Sequence, residues 1–279
     1  MFRFGIIAAF ATAAASVSAE SQVPAAPTAL TYADLADLAL AAPVAAHVRV
    51  TDAARLKAQE APGLAAGKTR FYVRADVVSL IRGAQGLPAR VSYLVDLPND
   101  AAGRPPKLRR KAEFILLAAP VPGRPGELRL VGPDAQLAYN PADADRLRAI
   151  LREAVQPGAP PRIVGIGKAF NVPGSLPGES ETQIFLLASD QRPVSLAVLR
   201  RPGETPAWAV SLTEIVDNAA APPQRETLLW YRLACALPRA LPAASLAEAE
   251  PREAAAIQSD YRLILDRLGP CPRTRARNS

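Results

Sequence analysis

Gly67-Lys68-Thr69 ends like a phosphate-binding loop, in which backbone amides cradle a phosphate and the lysine reaches its outer oxygens. Gly63 lies one residue too close to Gly67 for that loop, the required position being Pro62, and an alternating strand pattern follows where a helix would have to start. The triplet therefore reads as a turn leading into a strand. Gly178-Glu179-Ser180-Glu181-Thr182 begins like a nucleophile elbow, with Thr182 where the last glycine belongs. An elbow runs from strand into helix, whereas Ile184-Phe185-Leu186-Leu187 reads as strand. A serine relay would also need His47, the only histidine, to come within about 3 Å of Ser180 from the other half of the chain.

His47 falls on the polar phase of its strand beside Arg49, which predicts a surface residue paired with a carboxylate; without a second histidine it cannot be half of a two-histidine zinc site. Glu179 and Glu181 form an acidic knot on a loop rich in Pro and Gly. Hard cations favour clustered carboxylates, but the spacing of a calcium loop is absent, so the pair reads as solvated. Asp34 and Asp37 share a face of a short helix, where capping and dipole support explain them better than acid–base catalysis. No cofactor is implied by any of these groups.

The densest basic cluster is Arg104, Lys107, Arg109, Arg110 and Lys111, after a Pro-rich loop. If Arg109 to Lys111 open a strand, alternation sends Arg109 and Lys111 to one side and Arg110 to the other. Such a strip either binds an anion or protects a sheet edge from added strands. Cys235 and Cys271 make an even pair. In an oxidising compartment that reads as a disulfide, which the chain-entropy model values at roughly 3–4 kcal/mol.

The elements that must position these groups are legible in the hydrophobic pattern. The clearest stretch is 70–97: Phe71, Val73, Ala75 and Val77, then Val91, Tyr93 and Val95, alternate with Tyr72, Arg74, Asp76, Arg90, Ser92 and Asp96 across Gly83-Ala84-Gln85-Gly86. Period two with a Gly-bearing turn predicts an antiparallel hairpin. Around it, Thr31 caps a helix to Leu40 with Asp34 as its capping-box partner, and Val44 to Val50 reads as a strand. Leu108 to Ala119 reads as the fourth strand and Glu127 to Val131 as the fifth. Asn140-Pro141 then opens a helix with Leu147, Ile150 and Leu151 on one face.

Five strands between Val44 and Tyr139, with a helix before and a helix after, resemble the OB-type barrel of netrin-like modules over residues 30–155. The resemblance implies a scaffold used for binding. Those modules carry an N-terminal cysteine framework that the first half of this chain lacks, so their inhibitory chemistry transfers to no residue here.

Beyond the breaker-rich 156–161, strands are expected over 163–170, 182–188, 194–200 and 208–212. A helix is expected from Pro222 to Leu237, and a last one from Pro251 with Ile257, Tyr261, Ile264, Leu265 and Leu268 on one face and Gly269-Pro270 as its stop. The expected fold class is therefore α+β: an antiparallel β-barrel-like (OB-type) module with flanking helices over 31–156, then a small antiparallel sheet with two C-terminal helices over 160–271, and a basic, disordered tail over 272–279.

Met1-Phe2-Arg3, an apolar run to Ala15 and Val17-Ser18-Ala19 form a secretory signal over 1–19, cleaved near Ala19 and followed by a linker over 20–30. That apolar run is too short to span a bilayer, and no later run serves as a transmembrane helix. A periplasmic or secreted location follows. The formal charge of +7, nearly all the cations being arginine, permits an anionic envelope component or a protein partner. Nucleic acid is not expected for an exported chain. The functional expectation is a non-enzymatic binding or structural module of the envelope, with a hydrolase sited between the two halves as the alternative.

Overall fold

A computed structural model describes residues 30–213 and 221–275; the expected signal segment and nearly all of the linker after it lie outside the described residues. The chain begins with α1 (Tyr32–Ala41), whose Thr31 side chain accepts from the Asp34 amide while Asp34 reaches back to Thr31, completing the expected capping box. The barrel strands are β1 (Val44–Arg55), β2 (Lys68–Arg82), β3 (Arg90–Pro98), β4 (Glu113–Pro120) and β5 (Glu127–Leu130), with a short β6 (Gln136–Ala138) appended to β4.

β1 pairs with both β2 and β4, and β5 bridges β3 in parallel to β4 in antiparallel, so five strands close on themselves in the order β1-β2-β3-β5-β4. Register shifts in β1 at Ala45/Ala46, His47/Val48 and Val50/Asp52 bend the strand as closure requires. The alternation read from the sequence holds: Phe71, Val73, Ala75, Val91, Tyr93 and Val95 fill the barrel with Val48, Leu116 and Leu128. Each large member contributes about 1.5–3 kcal/mol by leaving water. β2 outruns its hairpin partner: it pairs with β3 from Lys68 to Asp76, and its last residues pair with β1 alone.

α2 (Pro141–Ala154) starts at Asn140, whose side chain accepts from the Ala142 amide. A second sheet then forms in the order β10-β9-β8-β7, from β7 (Ile163–Pro173), β8 (Ser180–Ala188), β9 (Val194–Arg200) and β10 (Ala207–Ser211), all antiparallel. α3 (Leu228–Ala234) is shorter than the sequence suggests. The chain from Pro222 stays irregular until Thr227 caps the helix through the Trp230 amide. α4 (Pro251–Leu268) ends as expected at Gly269, whose φ of 69° is open to glycine at low cost.

Cys235 and Cys271 form a disulfide that ties the end of α3 to the chain just beyond α4. Residues 272–275, expected in a disordered tail, are instead tied down. Thr274 donates to Asp34, Arg273 pairs with Asp37 and Arg275 pairs with Asp134. The rest of that tail lies outside the described residues. A second core, continuous from α1, α2 and the outer face of β1 and β4 to the second sheet, α3 and α4, holds Leu35, Ile115, Leu147, Ile184, Trp230 and Ile257. No helix among the described residues is long and apolar enough to cross a membrane.

Candidate ligand-binding surface

The outer face of the β2–β3 hairpin carries what the barrel interior excludes. On β2, Arg70, Tyr72 and Arg74 alternate with buried Phe71, Val73 and Ala75; on β3, Ser92, Leu94 and Asp96 alternate with Val91, Tyr93 and Val95. The antiparallel register sets Arg70 opposite Asp96 and Asp76 opposite Arg90. Arg70 grips Asp96 with two hydrogen bonds of 2.6 and 2.8 Å, which hold the carboxyl below its ordinary range. Arg74 reaches Asp52 at 2.7 Å, and that bond likewise lowers the Asp52 pKa.

Two contiguous clefts lie along this face. One, of about 670 Å³, is lined by Arg70, Tyr72, Asp96, Arg124, Glu127 and Arg129 among others. The second, of about 420 Å³, shares Tyr72 and Ser92 with the first and adds Asp52, Arg74, Arg90 and Arg110. Cations outnumber carboxylates in both. Arg70, Arg74, Arg90 and Arg124 are tied to acidic neighbours. Arg110 and Arg129 form no ion pair among the described residues, and both are exposed. The arrangement can offer guanidinium forks to an extended anion; it holds no nucleophile paired with a base.

Of the basic cluster expected to bind, only Arg110 lines these clefts. The expectation that Arg109, Arg110 and Lys111 open a strand is corrected. They lie in a turn, Lys111 has a φ of 68°, and β4 starts at Glu113. The turn is held by the Lys111 amide donating to Val50 O and by the Ala112 amide donating to Arg109 O, so side-chain alternation never applies there. Arg104 folds back onto Asp100 at 2.8 Å. Lys107, Arg109 and Lys111 are exposed around the same loop.

Ser180 opens β8 opposite Pro173 and Arg200, and strand rather than helix follows it. Glu179 serves the turn before it, accepting from the Leu176 amide; its side chain lies so close to Gly174 that it leaves no room for a Cβ there. Glu181 accepts from Gln183. His47 is on the other sheet and is not the exposed residue its strand phase suggests. It is 6% exposed, stacked on Tyr139 with ring centroids 3.7 Å apart, and its Nε2 lies 2.9 Å from Glu113. Glu113 also receives Arg49, and these two bonds, from Arg49 first, lower its pKa. No hydrogen bond joins His47 to Ser180. Among the described residues no group of three or more His, Cys, Asp or Glu is placed to hold a metal ion.

Two polar clusters were missed in the sequence. Asp260, fully buried on α4, accepts from Thr182 Oγ1 at 2.5 Å and from Arg200 Nε at 2.7 Å, and Asn171 donates to Thr182. Its signal was a carboxylate on the same helical stripe as Ile257, Tyr261 and Ile264. The other is the cleft beside the disulfide, where arginines gather from β7's approach, α3 and the C-terminal segment. No protein-family model matches the chain, and no curated protein is similar to it at a significant level.

Proposed function

We propose that this is an exported, non-enzymatic protein of the cell envelope that binds an anionic polymer, an acidic polysaccharide foremost, along the β2–β3 face of its barrel. The observation that carries the reading is the pair of contiguous arginine-lined clefts in which Arg110 and Arg129 form no ion pair among the described residues. An uncompensated guanidinium at a groove attracts carboxylates and phosphates and binds them through paired donors. The same face of other OB-type barrels takes oligosaccharides and oligonucleotides, an analogy of scaffold only. Export rests on the signal pattern at 1–19, and it agrees with a disulfide, which belongs to oxidising compartments. Periplasmic release after Ala19 is part of the same proposal.

The test is retention of the mature protein on an acidic-polysaccharide matrix across a salt gradient. Binding is expected to weaken steadily as salt rises, because exposed charges are screened within about 10 Å at 0.1 M. A triple R74Q/R90Q/R110Q variant should elute at distinctly lower salt. Elution that ignores salt, or a variant that elutes with the native protein, overturns the reading. N-terminal sequencing of protein recovered from an envelope extract tests export: Glu20 is the expected first residue, and an intact Met1 refutes it.

A further inference from the structure

A separate cleft of about 510 Å³ opens beside the disulfide, with Cys235 in its lining. Arg162 and Val164 line it from the start of β7, Tyr231 and Arg232 from α3, and Arg273 and Asp37 from the C-terminal segment and α1. Its charges are not balanced. Asp37 is committed: it takes Arg273 Nε at 2.7 Å, Arg273 Nη2 at 3.2 Å and the Tyr231 hydroxyl at 2.6 Å. Arg162 and Arg232 have no ion pair and no side-chain acceptor among the described residues, and the Arg232 Nε is fully buried without a partner.

A guanidinium drawn out of water with nothing to receive its hydrogen bonds is costly, and a like charge nearby raises the cost. Arg232 is half-buried: its Nε is closed off without an acceptor, its guanidinium carbon lies 5.8 Å from the centre of the Tyr231 ring, and its pKa is pushed down by burial first and by Arg162 as well. We infer that this cleft is a binding site for a small oxyanion, a phosphate or carboxylate group held between Arg162 and Arg232. The Arg232 and Arg162 forks supply paired donors suited to two oxygens of one group, while Tyr231 and Arg273 are held in place by Asp37 at its margin. The site is independent of the barrel face and asks for a compact ligand where that face fits an extended one.

The test is calorimetric titration of the mature, disulfide-bonded protein at low ionic strength with inorganic phosphate and, separately, with succinate. One or both are expected to bind, and the arm that binds identifies the phosphate or carboxylate source. An R162Q/R232M variant should lose at least tenfold in affinity, whereas R74Q/R90Q/R110Q should keep it. Without ligand, R232M should melt at the same temperature as the native protein or higher, since it removes a half-buried charge that has no ion pair among the described residues; a merely structural arginine would lower it. Should R232M fold poorly, exposed Arg162 provides the second variant, with R162Q alone expected to weaken binding. Failure of both anions to bind the native protein, or undiminished binding by R162Q/R232M, overturns the inference.

Discussion

A carboxylate without solvent contact depends on its donors, and Asp34 has them from both ends of the chain. It accepts from the Thr31 amide and hydroxyl, from the Thr274 amide and hydroxyl, and from the Arg275 amide. Burial alone would raise its pKa, but the bonds from Thr274 and Thr31 outweigh it and bring the value from 3.8 to about 2. A folded-state pKa below the unfolded one stabilises above the unfolded value and loses that contribution as pH falls from about 4 toward 2. The shift corresponds to about 2 kcal/mol at neutral pH. D34N should therefore lower stability by roughly that amount at pH 7. In urea midpoints measured from pH 7 to 3, the gap between D34N and the native protein should close as pH falls; a constant gap would show that Asp34 acts through packing alone. The capping half of this site was legible as Thr31 and Asp34 three residues apart. Its tail half was not, because Thr274 lies 240 residues away and no local pattern reports such a meeting.

Arg200 and Asp260 differ in what each leaves behind. Asp260 is fully buried, while the Arg200 side chain keeps 33% of its exposure. Removing the arginine strands a carboxylate that water cannot reach; removing the charge on Asp260 strands a guanidinium that can still turn toward solvent. R200M should cost about 3 kcal/mol and D260N clearly less, measured by chemical denaturation. The reverse order would mean that Thr182 and Asn171 carry the site. His47 shows the limit of strand phase as a guide. Period two separates core from solvent only where one face is wet, and the first half of β1 is covered on both: Ala45 packs with the helices, Ala46 and Val48 in the barrel.

At the scale of elements, the signals that survived are those with a local physical cause: the Asn140-Pro141 start of α2, the Gly269 stop of α4, the alternation of β2 and β3. The β2–β3 cleft was half legible, since alternation already turned Tyr72 and Arg74 outward. Arg110's place beside them was hidden, because a turn with a left-handed residue at Lys111 replaces the strand that its neighbours suggested. The disulfide is the element-level joint between α3, α4 and the segment that returns to α1. Closing 36 residues, it should contribute roughly 3–4 kcal/mol, so that C235S/C271S lowers stability by that order. Its loss also loosens the segment that carries Thr274 to Asp34. D34N and C235S/C271S should then be less than additive in a double-mutant cycle, the combined loss falling short of the sum by more than about 0.5 kcal/mol. Strict additivity would separate the joint from the clamp.

At the scale of the whole molecule, the breaker-rich stretch at 156–161 has the composition of a domain boundary, yet the hydrophobic contacts run across it. Leu35 and Leu38 of α1 and Leu147, Ile150 and Leu151 of α2 belong to the same contiguous core as Ile184 and Leu196 of the second sheet and Trp230 and Ile257 of the helices beyond it. Exposing those five leucines and isoleucines would cost about 1.5–3 kcal/mol each, a total comparable to the whole stability of an ordinary domain, about 5–15 kcal/mol. The barrel with α1 and α2 therefore should not outlast the second sheet. Trp208 and Trp230 both lie beyond the stretch, so tryptophan fluorescence follows the second half, while amide exchange in β2 and β3 follows the barrel. With the disulfide intact, the two probes should share one midpoint, and the calorimetric enthalpy of unfolding should equal the van't Hoff value. Two separated transitions would mean that the barrel's own interior, from Val48 to Leu128, suffices to hold it, and that the shared core serves to orient two independent halves.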